Sequence, residues 1–353
     1  MKLNTADEQR SQLGEQRRKV DFDTYDITVD ELIRRVGTGR INVAPVYQRQ
    51  FRWDSLRQSK LIESVLLGIP VPPLFMATNS DGRSGNSWEV VDGLQRLLTL
   101  VSFLGSDETR KKVGLDQALK LGGLEKLDTF GECTRADLPN DVVEALEDRP
   151  FKVIVLNDKS DLQVRFDLFE RLNTGGISLS AQEIRECVFR GDFMDLLSTL
   201  ASEASFRTVV VLPQSKEKDG TREEFVLRFF AFLESYQDFE HSVSGFLKDY
   251  TKEAFSDPRA GQRTRVFQET FTFLAHCFPS GIRTRKGQTP VNLFEAISVG
   301  AALALQSNAN LRPPISVDWH RSKELQALTT GATNSRKRVV GRIQFCRDAF
   351  LSP

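Results

Sequence analysis

The chain has 353 residues, of which 48 are Lys or Arg and 48 are Asp or Glu, so its formal net charge is zero. This length allows two domains, each with its own apolar core. The zero net charge argues against a protein whose main task is tight, nonspecific coating of DNA, although a local basic patch is compatible with it.

The cysteine and histidine residues give no metal or redox motif. Cys133, Cys187, Cys277 and Cys346 lie far apart, which predicts reduced thiols in a cytoplasmic protein. His276 precedes Cys277, but neighbouring side chains do not share a helix face, so no metal site is expected there. No run is apolar and long enough to span a membrane, and the polar N-terminus does not resemble a signal peptide. We therefore expect a cytoplasmic protein without a membrane partner.

Helix signals predict the first elements. Residues 1–19 are charged and rich in Gln, which predicts a frayed helix or a flexible arm. The capping-box pattern at residues 28–31 predicts a helix that ends at residues 37–39. A short strand is expected over residues 41–43.

An unusual stretch follows at residues 44–54, with the sequence A-P-V-Y-Q-R-Q-F-R-W-D. Aromatic side chains alternate there with polar donors, namely Tyr47, Gln48, Arg49, Phe51, Arg52 and Trp53. Such a mixture can stack a nucleic-acid base while an arginine holds a phosphate. The alternative is that the aromatic residues fill the core and the arginines face water.

Residues 55–67 are predicted to form a helix, capped by Asp54 or Ser55 and ended by Gly68. Three prolines between residues 70 and 73 predict a rigid lead-in to an edge or first strand over residues 74–78. The turn-rich residues 79–86 would join this strand to a second one, at residues 88–91, in a hairpin.

The second strand of that hairpin leads into the stretch with the strongest functional signal. Residues 87–104 read S-W-E-V-V-D-G-L-Q-R-L-L-T-L-V-S-F-L: a strand, then Asp92 and Gly93, then a helix with Gln95 and Arg96 in its first turn. A helix start offers N–H groups without an intrahelical partner and the positive end of the helix dipole, so this arrangement suits a phosphate. The alternative is an ordinary strand-to-helix turn in which Asp92 caps the helix and Arg96 faces water.

Residues 105–156 are less regular. Short helices are expected at residues 116–121 and 138–146. The run F-K-V-I-V-L at residues 151–156 predicts a buried strand.

A helix break follows the next predicted helix, at residues 162–172. The break has the sequence N-T-G-G at residues 173–176. It predicts either a simple helix-terminating turn or a turn in which Asn173 contacts a ligand. A capping box at residues 180–183 predicts the following helix.

Beyond Gly191 the sequence predicts helices, with a strand only at residues 208–212. The predicted helices cover residues 221–234, 263–278, 294–305, 321–328 and 337–350. The 25 phenylalanines are concentrated in this half, which predicts packing between helices.

Several motifs together resemble a known family. They are Y-Q-R at residues 47–49, Trp53, I-E-S-V-L-L-G-I-P-V-P-P-L-F at residues 62–75, D-G-L-Q-R at residues 92–96 and F-E-R-L-N-T-G-G-I-S-L-S-A-Q-E-I-R at residues 169–185. Over residues 25–190 the chain resembles the N-terminal domain of GmrSD-type, modification-dependent restriction enzymes, and its helical remainder resembles the standalone bacterial form of that domain. The resemblance implies a ParB/sulfiredoxin-like α/β fold whose D-G-x-Q-R turn binds nucleotide phosphates. Some members of the family hydrolyse nucleoside triphosphates.

The expected fold class is therefore α+β. We expect a flexible arm at residues 1–19, a ParB/sulfiredoxin-like nucleotide-binding domain at residues 20–190 and a helical domain at residues 191–353. Leu94 stands where the family usually has Gln, so hydrolysis depends on whether that Gln orients a water. Full-length enzymes of the family resemble HNH nucleases at their C-terminus, but His320 is the one histidine after residue 276, so no nuclease activity is expected of this chain.

The resemblance and the helix break together supply the candidate site residues. The residues expected to bind a nucleotide are Tyr47, Gln48, Arg49, Trp53, Gly93, Gln95, Arg96 and Asn173. The residues expected to be catalytic are Arg49, Asp92, Gln95 and Arg96. Asp92 would hold Mg²⁺ or orient a water, and the two arginines would hold the phosphates.

The main functional hypothesis is a nucleotide-binding sensor of bacterial restriction or phage defence, with nucleotide hydrolysis as a further expectation. ATP, GTP and CTP are equally compatible with the sequence. The alternative is a DNA-binding module that recruits a separate nuclease or defence protein and has no enzymatic activity. A third hypothesis is a catalytically inactive interaction protein that has kept the fold.

Overall fold

The computed structural model describes residues 5–17, 21–43, 53–79, 87–157, 166, 171, 180–189, 191–217, 219–255, 257, 259–283, 287–331 and 333–352. The chain divides into two compact units, Met1–Ser178 and Leu179–Pro353. The domain limits that the sequence predicts, after residues 19 and 190, stay predictions.

The first unit contains a mixed sheet, which has five strands in the part of the chain that the structure describes. They are β1 (Phe22–Thr28), β2 (Ile41–Asn42), β3 (Leu74–Asn79), β4 (Ser87–Asp92) and β5 (Pro150–Leu156), in the order β1-β5-β3-β4-β2. β3 runs antiparallel to β4 and parallel to β5. The pairing of β3 with β4 confirms the predicted hairpin partners, and β5 confirms the predicted buried strand.

The position of β3 differs from the prediction. The sequence predicts an edge or first strand at residues 74–78, but β3 is the central strand of the sheet. The prolines end at Pro73, one residue before the strand begins, so every residue of β3 has an N–H group to offer the sheet. β1 was not predicted, because Ile27 is its one buried residue and no apolar alternation marks it.

The part of the first unit that the structure describes also contains helices. They are α1 (Ala6–Arg17), α2 (Val29–Gly37), α3 (Ser55–Leu66), α4 (Leu94–Leu104), α5 (Asp107–Lys112) and α6 (Asn140–Glu147). Residues of α2, α3 and α4 join Val90 and Val153 of the sheet in one apolar core. Two predicted caps are confirmed, since Thr28 caps α2 through the N–H of Glu31 and Asp54 caps α3.

Residues 116–121 do not form the predicted helix, because their neighbourhood is organised by long-range contacts. Residues 113–127 contain no helix or strand. The Oε1 atom of Glu63, on α3, accepts the backbone N–H groups of residues 125–127 at 2.9, 2.6 and 3.0 Å. Partners from α3 thus take the place of the hydrogen bonds that a helix would supply.

The second unit consists of helices throughout the residues described for it. They are α7 (Ala181–Val188), α8 (Asp192–Ala201), α9 (Ala204–Val209), α10 (Thr221–Ser235), α11 (Val243–Ala254), α12 (Ala260–Cys277), α13 (Val291–Ser307), α14 (Lys323–Thr329) and α15 (Arg336–Leu351), with short 3₁₀ turns between some of them. The capping box predicted at residues 180–183 is confirmed at the start of α7. The predicted class, a mixed α/β part followed by a helical part, is confirmed.

The strand predicted at residues 208–212 is wrong. α9 extends to Val209, and the next residues exchange only isolated bonds with a distant segment. Val211 donates its N–H to Thr289 Oγ1 at 2.9 Å and accepts the N–H of Thr289 at 2.9 Å. The run of valines therefore reflects burial, not strand pairing.

Phenylalanines fill the core of the second unit, as predicted. Phe267 and Phe271 have ring centroids 4.3 Å apart, and Phe206 packs edge-on against Phe271 at 4.9 Å. Such pairs stabilise a core beyond the area they bury.

Buried charges also connect the helices of the second unit. Arg228 on α10 donates to Glu295 on α13 at 2.7 Å and to Glu224 at 2.7 Å. Arg342 on α15 pairs with the other oxygen of Glu295. The side chains of Glu295 and Arg342 are 1% and 0% exposed, and we call these four residues the buried arginine network.

None of the described helices has both the length and the apolar character that crossing a membrane requires.

Candidate functional site

The D-G-L-Q-R motif forms the predicted turn from a strand into a helix. β4 ends at Asp92, Gly93 is the N-cap, and α4 begins at Leu94. Gly93 has a φ of 92°, in the left-handed region, and a Cβ atom there would lie 2.5 Å from Leu74 Cδ2 and 3.0 Å from Arg96 Nη2. Glycine is therefore required both for the backbone turn and for the close approach of Arg96.

Arg96 lies against this turn and does not face water. Its Nη2 atom donates to Asp92 Oδ2 at 2.7 Å, and its Nη1 atom donates to the carbonyl of Pro72 at 3.0 Å. The Arg96 side chain is 12% exposed, whereas that of Asp92 is 41% exposed. Burial lowers the pKa of Arg96, while the charge of Asp92 acts in the opposite direction. The alternative in which Asp92 caps the helix and Arg96 faces water is therefore wrong.

Gln95 is bonded to Trp53. The Oε1 atom of Gln95 accepts the backbone N–H of Trp53 at 3.0 Å, and Gln58 Nε2 donates to the Trp53 carbonyl at 2.9 Å. Two glutamines, one from α3 and one from α4, thus hold the peptide groups of Trp53 from both sides. Trp53 and the D-G-L-Q-R turn thus lie next to each other, and their predicted role in binding a ligand stays a prediction.

Leu94 follows Gly93 in the turn. Its side chain is buried and belongs to the apolar core of the first unit. The residue that departs from the family pattern is therefore part of the core.

Four of the predicted site residues lie outside the described residues: Tyr47, Gln48, Arg49 and Asn173. The convergence of Arg49 and Arg96 on one anion therefore stays a prediction.

Asp92 offers one carboxylate to a metal ion. No group of three or more His, Cys, Asp or Glu side chains in the described ranges is arranged to hold a metal. A single carboxylate fits Mg²⁺ when the phosphates of a bound nucleotide supply further oxygen ligands. The side chain present is thus compatible with a metal ion that arrives with its nucleotide.

Gln58 is a residue of this site that the sequence predictions missed. It is 7% exposed and lies on the buried side of α3 with Leu61, Ile62 and Val65. Gln58 precedes these apolar side chains by three, four and seven residues, a spacing that indicates the same buried face of the helix. A polar residue at such a position is expected to have a buried partner.

Glu63 is another buried polar residue of α3, and it lies in the motif at residues 62–75. The N–H group of Lys126, together with those of Leu127 and Glu125, lowers the pKa of Glu63 against the opposing effect of burial. Its described side-chain hydrogen bonds go to the irregular residues 125–127, which gives Glu63 a structural role.

Comparison with known proteins gives a family match for the first part of the chain. Residues 29–190 match the family model described as GmrSD restriction endonuclease, N-terminal domain, and the match covers somewhat less than half of the chain. No curated protein and no solved structure matches the chain. The matched range includes α3, the D-G-L-Q-R turn and α7. Residues 29–190 therefore match the family that the motifs predicted, the GmrSD restriction endonuclease N-terminal domain.

Proposed function

We propose that residues 29–190 bind the phosphates of a nucleoside triphosphate at the D-G-L-Q-R turn, and that the protein acts as a nucleotide-dependent sensor in DNA restriction or phage defence. The family supports the restriction context. The observation that carries the nucleotide proposal is the largely buried guanidinium of Arg96, held in the first turn of α4.

The chemistry of this turn suits a polyphosphate. A helix start adds N–H groups and a positive dipole end to the charge of Arg96. Arginine binds phosphate through two parallel hydrogen bonds, and such charge-assisted bonds are about twice as strong as neutral ones. The carbonyl of Pro72 already fixes one edge of the guanidinium, so little conformational freedom remains to be lost on binding.

The other predicted residues complete the proposed site. Arg49 would be a second phosphate ligand, and Tyr47 or Trp53 would stack the base. Gln48 and Asn173 would contact the nucleotide through their amides. Their sequence motifs support these roles.

Hydrolysis would use the same turn. Asp92 would hold Mg²⁺, which bridges phosphate oxygens, or orient the attacking water. Gln95 would act by fixing Trp53, since its Oε1 atom accepts the N–H of that residue. Turnover is measured as phosphate release from ATP, GTP and CTP, with and without DNA. Asp92→Ala is expected to abolish any turnover.

The binding proposal is tested by titration with labelled ATP, GTP and CTP. Arg96→Ala is expected to weaken binding at least tenfold, on the order of one lost charge-assisted bidentate contact. Arg34→Ala is the matched control, because Arg34 is an exposed arginine of α2 whose partner is Glu31. Equal binding by the wild-type protein and Arg96→Ala would exclude Arg96 as a phosphate ligand.

DNA is the alternative ligand of the same arginine. Its signature is a steep loss of DNA affinity with increasing salt, which nucleotide binding alone does not produce. Tight, salt-sensitive DNA binding without any nucleotide binding would favour a module that recruits a separate nuclease or defence protein.

A further inference from the structure

Arg96 already has an anionic partner inside the protein. Asp92 and Arg96 are four residues apart and face each other across the Gly93 turn, with Oδ2 and Nη2 at 2.7 Å. The other edge of the guanidinium donates to the Pro72 carbonyl at 3.0 Å. The guanidinium that would receive a phosphate is therefore bonded to a carboxylate of the protein itself.

We propose that Asp92 is an internal competitor of the phosphate for Arg96, which a polyphosphate must displace in order to bind. This inference rests on the proposed function, because it concerns the same arginine and the same class of ligand. Replacement of Asp92 should therefore strengthen phosphate binding, whereas replacement of a residue that contacts the phosphate would weaken it.

The two members of the pair differ in their freedom to move. Arg96 is 12% exposed, is held by Pro72 and lies beside the turn at Gly93. Asp92 is 41% exposed, so its carboxylate can rotate into water at low cost. When a phosphate displaces Asp92, the carboxylate therefore moves, and the guanidinium of Arg96 keeps its position.

The displaced carboxylate would lie next to a bound phosphate, and the two negative charges repel each other. A divalent cation that contacts both groups changes this repulsion into attraction. The Asp92–Arg96 pair therefore favours the metal complex of a polyphosphate over the free polyphosphate. No other residue is needed for this selectivity.

The test is the affinity for inorganic tripolyphosphate, measured by calorimetry in EDTA and again in excess Mg²⁺. In EDTA, Asp92→Asn is expected to bind roughly three- to tenfold more tightly than the wild type, as expected for release of a partly exposed ion pair. Asp92→Ser removes the charge without leaving an amide near Arg96, and it is expected to show the same gain. Mg²⁺ should strengthen binding by the wild type more than binding by either variant.

Two controls isolate the pair. Asp26→Asn removes one negative charge from an exposed pair with Lys152 on the β1–β5 edge and should bind as the wild type does. The double variant Asp92→Asn/Arg96→Ala should not show the increase in affinity, because that increase depends on the guanidinium of Arg96.

The outcomes separate the two proposals. If the wild type binds tripolyphosphate and both Asp92 variants bind it equally or less tightly in EDTA, the competitor role is wrong while the phosphate site stands. If the wild type and both variants bind nothing with or without Mg²⁺, the phosphate site itself is wrong and the competitor role is refuted with it.

Discussion

Arg96 in the first unit and Arg342 in the second are both paired with carboxylates, but their surroundings differ. Glu295, the partner of Arg342, lies 47 positions away in sequence, and both side chains are almost fully enclosed. Asp92, the partner of Arg96, is four residues away and 41% exposed. A pair of the first kind connects helices and cannot be opened without leaving a buried charge. A pair of the second kind can exchange its carboxylate for another anion.

The largest effect is expected from opening the buried arginine network. Glu295→Ala leaves Arg228 and Arg342 without their shared partner, and we expect a loss of about 3–5 kcal/mol in the free energy of unfolding. Urea denaturation followed by circular dichroism measures it. Asp348→Ala, which removes an exposed partner of Arg347, should cost less than about 0.5 kcal/mol. A similar small loss for both variants would contradict the structural role of the network.

Gly93→Ala should be the next largest change, and it bears on both stability and binding. The substitution forces a Cβ atom to within 2.5 Å of Leu74 and into a left-handed backbone conformation. We expect a loss of about 2–3 kcal/mol and weaker nucleotide binding, because Arg96 is displaced as well.

Gly114→Ala is its matched control. Gly114 has a φ of 74° and no atom within 4 Å of the added Cβ, so backbone strain acts alone and should cost about 1 kcal/mol without affecting binding. Equal costs for the two substitutions would show that the contacts at Gly93 are unimportant.

Glu63→Gln tests a buried carboxylate whose partners are backbone groups. The pKa of Glu63 is lowered in the folded protein, so its contribution to stability is present above the unfolded pKa of about 4.3 and is lost as the pH falls below it. We expect the variant to be less stable than the wild type by about 1–2 kcal/mol at pH 7. The difference should shrink below about pH 4. The measurement is urea denaturation between pH 3 and pH 7, with the exposed Glu144→Gln on α6 as control. If the difference in stability between the two proteins did not change with pH, the charge of Glu63 would not be the source of its contribution.

Asp92→Asn should have the smallest effect on stability, less than about 1 kcal/mol, because the pair is partly exposed and Arg96 keeps its bond to Pro72. Thermal denaturation of the variant beside Glu295→Ala measures the contrast directly. A loss as large as that of Glu295→Ala would mean that the Asp92 pair is structural, and the comparison between the two arginines would fail.

Local signals explain which parts of the fold could be predicted. The caps at Thr28 and Ser180 and the buried strand at residues 151–156 are set by neighbouring residues, so the sequence displays them. The irregular residues 125–127 are held by Glu63, which lies 62 to 64 positions earlier, and no local pattern reveals such a partner.

The sequence predicted the turn of the candidate site, but it did not predict the groups that hydrogen-bond to the residues of that site. D-G-L-Q-R predicted a strand, a glycine turn and a helix start, and all three are present. The carbonyl of Pro72 and the amide of Gln58 were missed, because both depend on how separate segments meet in the fold. The strand position of β3 was wrong for the same reason, since the order of strands in a sheet is a long-range property.

The bonds to Trp53 make this residue a natural optical reporter. The protein has three tryptophans, Trp53, Trp88 and Trp319. Among the described contacts, only Trp53 has backbone hydrogen bonds to glutamine side chains of both α3 and α4. Any shift of one helix against the other must move its indole relative to the neighbouring solvent. Emission from a protein in which Trp88 and Trp319 are replaced by phenylalanine would thus follow rearrangements of the glycine turn in real time, without an attached dye.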